Sequence, residues 1–158
     1  MGHLGFSYIG LVFLLMLFIP NLIWAKHQPE GYTAVHENRI LVLCERIGQV
    51  LTTTCVLIFD DFNLKPWHSW SLWLVLAIGL MILYEMWWIH YFKSPKTLKD
   101  FYGRFFGIPF PGATLPVAAF FLLGIYGRVI WLMLATLLLG IGHITIHWNH
   151  ARSIHEER

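Results

Sequence analysis

The chain is expected to be an all-α, polytopic integral membrane bundle of about five helices. Two features predict this: 57% of its residues are hydrophobic and only 13% charged, where a soluble domain carries about a quarter, and its apolar runs approach the roughly 20 residues that cross a hydrocarbon core. Helices are required because lipid offers the backbone no hydrogen-bond partners, and five such runs cannot close a barrel. The polar stretches between runs are too short to fold alone, so residues 1–158 form one domain.

The first run, Leu4–Ala25, is too long for the apolar region of a cleavable signal peptide and has no Lys or Arg before it, so it reads as a retained span. Gln28-Pro29-Glu30-Gly31 then separates it from Ile40–Phe59, the one run interrupted by charge, at Glu45 and Arg46. Asp60-Asp61 and Pro66 precede Trp70–Ile89, and Ser94-Pro95-Lys96 begins the connection to Phe110–Tyr126. Gly127 marks a tight hairpin into the last run, Val129–Trp148. Adjacent carboxylates such as Asp60-Asp61, just after a span, are expected to be solvated.

Basic residues set the direction of threading. Alternate connections place Lys26, Arg39, Lys93, Lys96, Lys99, Arg104, Arg152 and Arg158 on one side, against Lys65 and Arg128 on the other. By the positive-inside rule the amino terminus lies outside and the carboxyl terminus in the cytoplasm of a cell membrane. Trp67, Trp70 and Trp131 then fall near outer ends and Trp24, Trp87, Trp88 and Trp148 near inner ends, as interfacial aromatic girdles do.

A net charge of +2 spread between spans gives no support for nucleic acid as a partner. Cys44 and Cys55 are about 16 Å apart along one helix and cannot form a disulfide together. Phosphate-cradling glycine loops, nucleophile elbows and paired-Cys motifs are missing, so nucleotide hydrolysis and common acyl-enzyme chemistry have no support.

Chemistry is sought instead among ionisable residues inside the spans, each costing roughly 2.5–3.5 kcal/mol unless partnered or wetted. Glu45 and Arg46 on the second span, Glu85 and His90 on the third, and His143, His147 and His150 on or just beyond the fifth all fall at the cytoplasmic side. The three histidines, at i, i+4 and i+7, share a face within about 60°, from which His155 is rotated away. Neutral imidazoles are ligands for divalent transition metals, so His143, His147 and His150 are candidate metal ligands, with Glu45 or Glu85 completing the set. Glu45, Glu85 and His147 are the candidate catalytic groups, Arg46 and Arg104 candidates for binding an anionic substrate or headgroup, and Arg46 with Glu85 the first cross-helix pair to look for. The plainer alternative is that the histidines are interfacial residues at the negative end of a helix dipole.

The last third carries one family resemblance. Ile108-Pro109-Phe110-Pro111-Gly112, a helical hairpin and Arg152 ahead of Glu156-Glu157 resemble the carboxyl-terminal part of isoprenylcysteine and phospholipid methyltransferases, where the corresponding Arg and Glu-Glu segment helps bind S-adenosylmethionine. The family's His-Pro-x-Tyr element is absent, with Ile108 and Pro111 in the His and Tyr places, and that function is not adopted. Two function classes stay open: a membrane-embedded enzyme acting on a lipid-soluble substrate, or a non-enzymatic small transporter, ion-binding protein or structural subunit bound to another membrane protein.

Overall fold

The computed structural model describes residues 2–32 and 37–156, with side chains through Ser153. The described residues are all-helical apart from turns and two isolated bridges. Helices α1 (Tyr8–Ala25), α2 (Arg39–Ile58), α3 (Leu72–Lys93), α5 (Pro111–Gly127) and α6 (Ile130–Glu156) occupy the five expected runs, and a short α4 (Leu98–Tyr102) lies in the connection before α5. Four of the long helices are long and apolar enough to cross a membrane; α5 is equally apolar but has 17 residues.

The helix ends differ from the sequence reading for local reasons. Residues before Ser7 are not helical, because they run extended against the end of α2: the Gly5 amide donates to the Ile58 carbonyl and the Ser7 amide to the Leu57 carbonyl. Ser7 then caps α1 through its hydroxyl, which accepts from the Gly10 amide at 2.8 Å. At the other end of the chain α6 continues past Trp148, so His150 stays on the same regular helix as His143 and His147.

The bundle is built around α6, which packs against both α2 and α5; α3 packs on α5, and α1 touches α2 and α3 more lightly. The α2–α6 crossing is backbone on backbone. A Cβ on Gly142 would lie 2.5 Å from both the Glu45 nitrogen and the Leu41 oxygen, and one on Gly48 2.5 Å from the Leu139 backbone. Small residues permit such close approach in membrane bundles.

The two ends of the bundle are distinct. At the Asp60 end, Asp61 is buried rather than solvated, contrary to expectation: its carboxylate accepts from the His3 backbone and ring and lies 3.9 Å from Lys65 Nζ. Burial alone would raise this carboxyl, but the His3 hydrogen bonds, the His3 charge and Lys65 outweigh it and hold it below its ordinary range. The α5–α6 hairpin is also here, and the left-handed turn residue is Arg128 (φ 56°), not Gly127. Gly127 ends α5 where a Cβ would strike the Phe62 ring, while the Arg128 guanidinium sits over Trp70 at 4.8 Å.

At the Arg104 end, the expected tryptophan girdle is only partly present. Trp148 is exposed, but Trp87 and Trp88 are 2% exposed each, because Phe101 of α4 folds over both rings. Trp24 stacks on the same Phe101 at 4.9 Å and meets Tyr32 edge-on. The α4 segment thus roofs this end of the bundle, held by a capping box between Thr97 and Asp100.

Candidate functional site

Under that roof is a cavity of about 160 Å³ whose walls come from all five long helices and the connections at this end. Its polar wall is formed by Glu37, Glu45, His143, His147 and His150, and its aromatic wall by Trp24, Tyr32, Trp88 and Phe101. The three imidazoles singled out by spacing therefore face inward and share a cavity with Glu45.

Glu45 and His143 form the tightest contact. His143 Nδ1 lies 2.5 Å from Glu45 Oε1, with the two side chains 24% and 20% exposed. An ionised Glu45 can only accept, so the His143 Nδ1–H donates in this contact. A carboxylate that fixes the tautomer of a histidine in this way is the orienting half of an acid–base pair. One turn on, the His147 ring lies 4.5 Å from that of His143 and packs against Phe101 and Tyr102.

His150 is held differently. Its Nδ1 is 2.9 Å from the Tyr102 hydroxyl, and its Nε2 lies 3.4 Å from Glu37 Oε1, within ion-pair range but outside hydrogen-bond geometry. Burial first, then the neighbouring Tyr32 and Glu37, pushes the Tyr102 phenol far above its usual range, so it is a neutral proton donor at any physiological pH. Tyr32 is shifted the same way by burial and by Glu37 and Glu45. Trp24 Nε1, Trp88 Nε1 and His150 Nε2 are buried with no hydrogen-bond partner among the described residues.

Beside this chamber runs a larger apolar groove of about 490 Å³, within the size range of small-molecule sites. Leu14, Leu17 and Phe18 of α1 face Val50 and Thr53 of α2 across it, and Val117 and Phe120 of α5 form its floor. The α1 and α2 helices touch near the Asp60 end, where Gly10 meets the Val56 carbonyl. Further along, Phe18 and Val50 are exposed at the groove's margin. Asn21, Gly112 and His143 line both the groove and the polar chamber, so the two adjoin at these residues.

The remaining expected site residues are placed elsewhere. Glu85 lines neither space, and its Oε1 is buried without a partner. Arg46 is exposed and forms no ion pair with a described residue, so the expected Arg46–Glu85 pair is not made. Arg104 lines a separate cavity with Lys99 and Arg152. The metal expectation for His143, His147 and His150 is not supported: among the described residues no three His, Cys, Asp or Glu side chains are placed to hold one ion. The rings do not converge on one point, and His143 and His150 are turned to different partners, Glu45 and Tyr102. The side chains of His155 and Glu156, and all of Glu157, lie outside the described residues.

Sequence reasoning missed Tyr32, Glu37 and Tyr102 because they sit in connections, where no periodicity reports which way a side chain faces. Asn21 was a readable signal, a lone amide within an apolar span; it donates to the Leu17 carbonyl and to the Tyr84 hydroxyl, both at 2.7 Å. In comparisons with known proteins, no family model, curated protein or solved structure matches this chain, and the methyltransferase resemblance of the last third gains no support from them.

Proposed function

We propose that this is a five-span cell-membrane protein, amino terminus outside, that takes a lipid-soluble substrate from the bilayer and carries out proton-transfer chemistry on its polar end. The observation that supports this reading is that Asn21, Gly112 and His143 line both the apolar groove and the polar chamber. An amphipath lying in the groove would bring its polar end to His143 Nε2, the group poised to accept a proton. Glu45 orients that ring, and Tyr102 with His150 supplies a donor on the opposite side. The orientation rests on the crowding of basic residues at the Arg104 end.

The test is to purify the protein in mild detergent and identify by mass spectrometry the amphipathic molecules that stay bound. The wild type should retain a defined species that Val117→Trp, which fills the groove, and His143→Ala, which removes the polar contact, both lose while remaining folded. Recovery of only bulk membrane lipid, or equal recovery from all three proteins, would overturn the reading.

A further inference from the structure

The polar chamber has a sign as well as a shape. Glu37 and Glu45 stand in its wall, and no Lys or Arg is among the described residues that line it. Each carboxylate meets a histidine through Oε1, Glu45 at His143 and Glu37 at His150, and neither Oε2 is hydrogen-bonded to a described residue. Tyr32 lies in the same wall and feels both charges: burial first, then Glu37 and Glu45, raise its phenol above the ordinary range. A phosphate, sulfate or carboxylate head entering here would meet two carboxylates with no Lys or Arg to offset them.

The opposite wall is aromatic. Trp24 and Phe101 stack at 4.9 Å, and Tyr32 stands nearly perpendicular to both, at 89° and 82°. Aromatic rings attract a cation within about 6 Å of the ring centre, and a carboxylate beside them accepts its charged N–H groups. Volume narrows the class further: about 160 Å³ is the room of about five waters at ~30 Å³ each, so a small ammonium group fits and a bulky head does not. We propose that the amphipath taken into the groove is a long-chain amine, its alkyl chain in the groove and its ammonium in the chamber beside Glu45. That carboxylate is bonded to His143, which lines both spaces, so an ammonium at the junction reaches it first. The assignment rests on the reading that groove and chamber hold one amphipath, and it names the class of that amphipath.

The experiment uses the full chain in maltoside micelles at neutral pH, where an alkylamine is protonated. Tetradecylamine, tetradecanol and tetradecanoate share one chain and differ only in the head. Each is titrated by mole fraction in the micelle, and binding is read as the rise in the thermal unfolding midpoint. The amine should half-saturate at about a tenfold lower mole fraction than the alcohol, a gap of the size expected for a desolvated cation on aromatic rings. The carboxylate should bind more weakly than the alcohol. Glu45→Gln, which keeps an oxygen for the His143 N–H and removes the charge, should bring the amine to within about twofold of the alcohol. Glu37→Gln, in the connection before α2, should narrow the gap several-fold and serves as the second variant if Glu45→Gln does not fold. Val117→Trp, which fills the groove, should lose amine and alcohol alike. If the alcohol or the carboxylate binds as well as the amine and Val117→Trp loses them all, the groove reading stands and the amine assignment falls. If no ligand moves the midpoint, or the shift survives Val117→Trp, the groove reading falls and the assignment with it. An amine preference unchanged in both glutamate variants would also overturn the assignment.

Discussion

Replacing Gly142 by Ala tests whether the α2–α6 crossing sets both the fold and the site. The added Cβ would stand 2.5 Å from the Glu45 nitrogen and the Leu41 oxygen, which are backbone atoms that cannot rotate aside. Restoring an ordinary separation of about 3.5 Å requires the helices to part by about 1 Å. Overpacking of this kind destabilises by about 1–3 kcal/mol, and a backbone-on-backbone clash belongs at the upper end. The same movement would stretch the 2.5 Å contact between His143 and Glu45 to about 3.5 Å, beyond a hydrogen bond. Gly79 is the control, because a Cβ there meets nothing within 4 Å; Gly79→Ala should be neutral or more stable by up to about 1 kcal/mol through helix propensity. Unfolding in detergent, followed by tryptophan fluorescence, reads the stability, and retention of the bound amphipath reads the site. If Gly142→Ala unfolds together with Gly79→Ala and keeps its ligand, the crossing is not what holds Glu45 against His143.

Two further predictions concern charges outside that crossing. Arg46→Leu should leave unfolding within about 0.5 kcal/mol of wild type, because the guanidinium is exposed and unpaired with any described carboxylate; a loss of several kcal/mol would mean that a buried partner exists. Asp61→Asn should loosen the amino-terminal strap, read as faster hydrogen exchange of the Gly5 and Ser7 amides. The pH dependence has a definite sign. A carboxyl held below its unfolded value of 3.8 contributes stability that is complete above that pH and is lost as pH falls through the folded value. Exchange at Gly5 and Ser7 should therefore accelerate on acidification below about pH 4 in the wild type and show no such step in Asp61→Asn.

The helices were legible because apolar runs of fixed length have one stable arrangement in lipid, and the five runs appear where composition puts them. The histidine face was legible for a similar reason: spacing along a regular helix determines angle, and α6 is regular through His150. Depth was less informative. Glu45 and Glu85 fall at similar predicted depths, yet α2 packs directly on α6 while α3 reaches it only through α5, so one carboxylate meets the histidines and the other does not. Trp87 and Trp88 misled for a related reason. Their positions fit an interface, but α4 covers them, and no sequence rule gives the path of a polar connection that folds back over a helix end.

That covering segment also gives the Arg104 end its two separate spaces. Its Phe101 closes the polar chamber over His147, its Tyr102 bonds His150, and its Lys99, with the Arg104 that follows it, faces the opposite way into the basic cavity. Five residues of α4 therefore lie between two spaces, one lined by Glu37, Glu45 and three histidines, the other by Lys99, Arg104 and Arg152. The Glu45–His143 contact lies on α2 and α6, the most closely packed helices in the bundle, while its roof hangs from a short helix held by a capping box. The α2–α6 crossing is thus the rigid part of this end, and the lightly tethered α4 is the part most free to open.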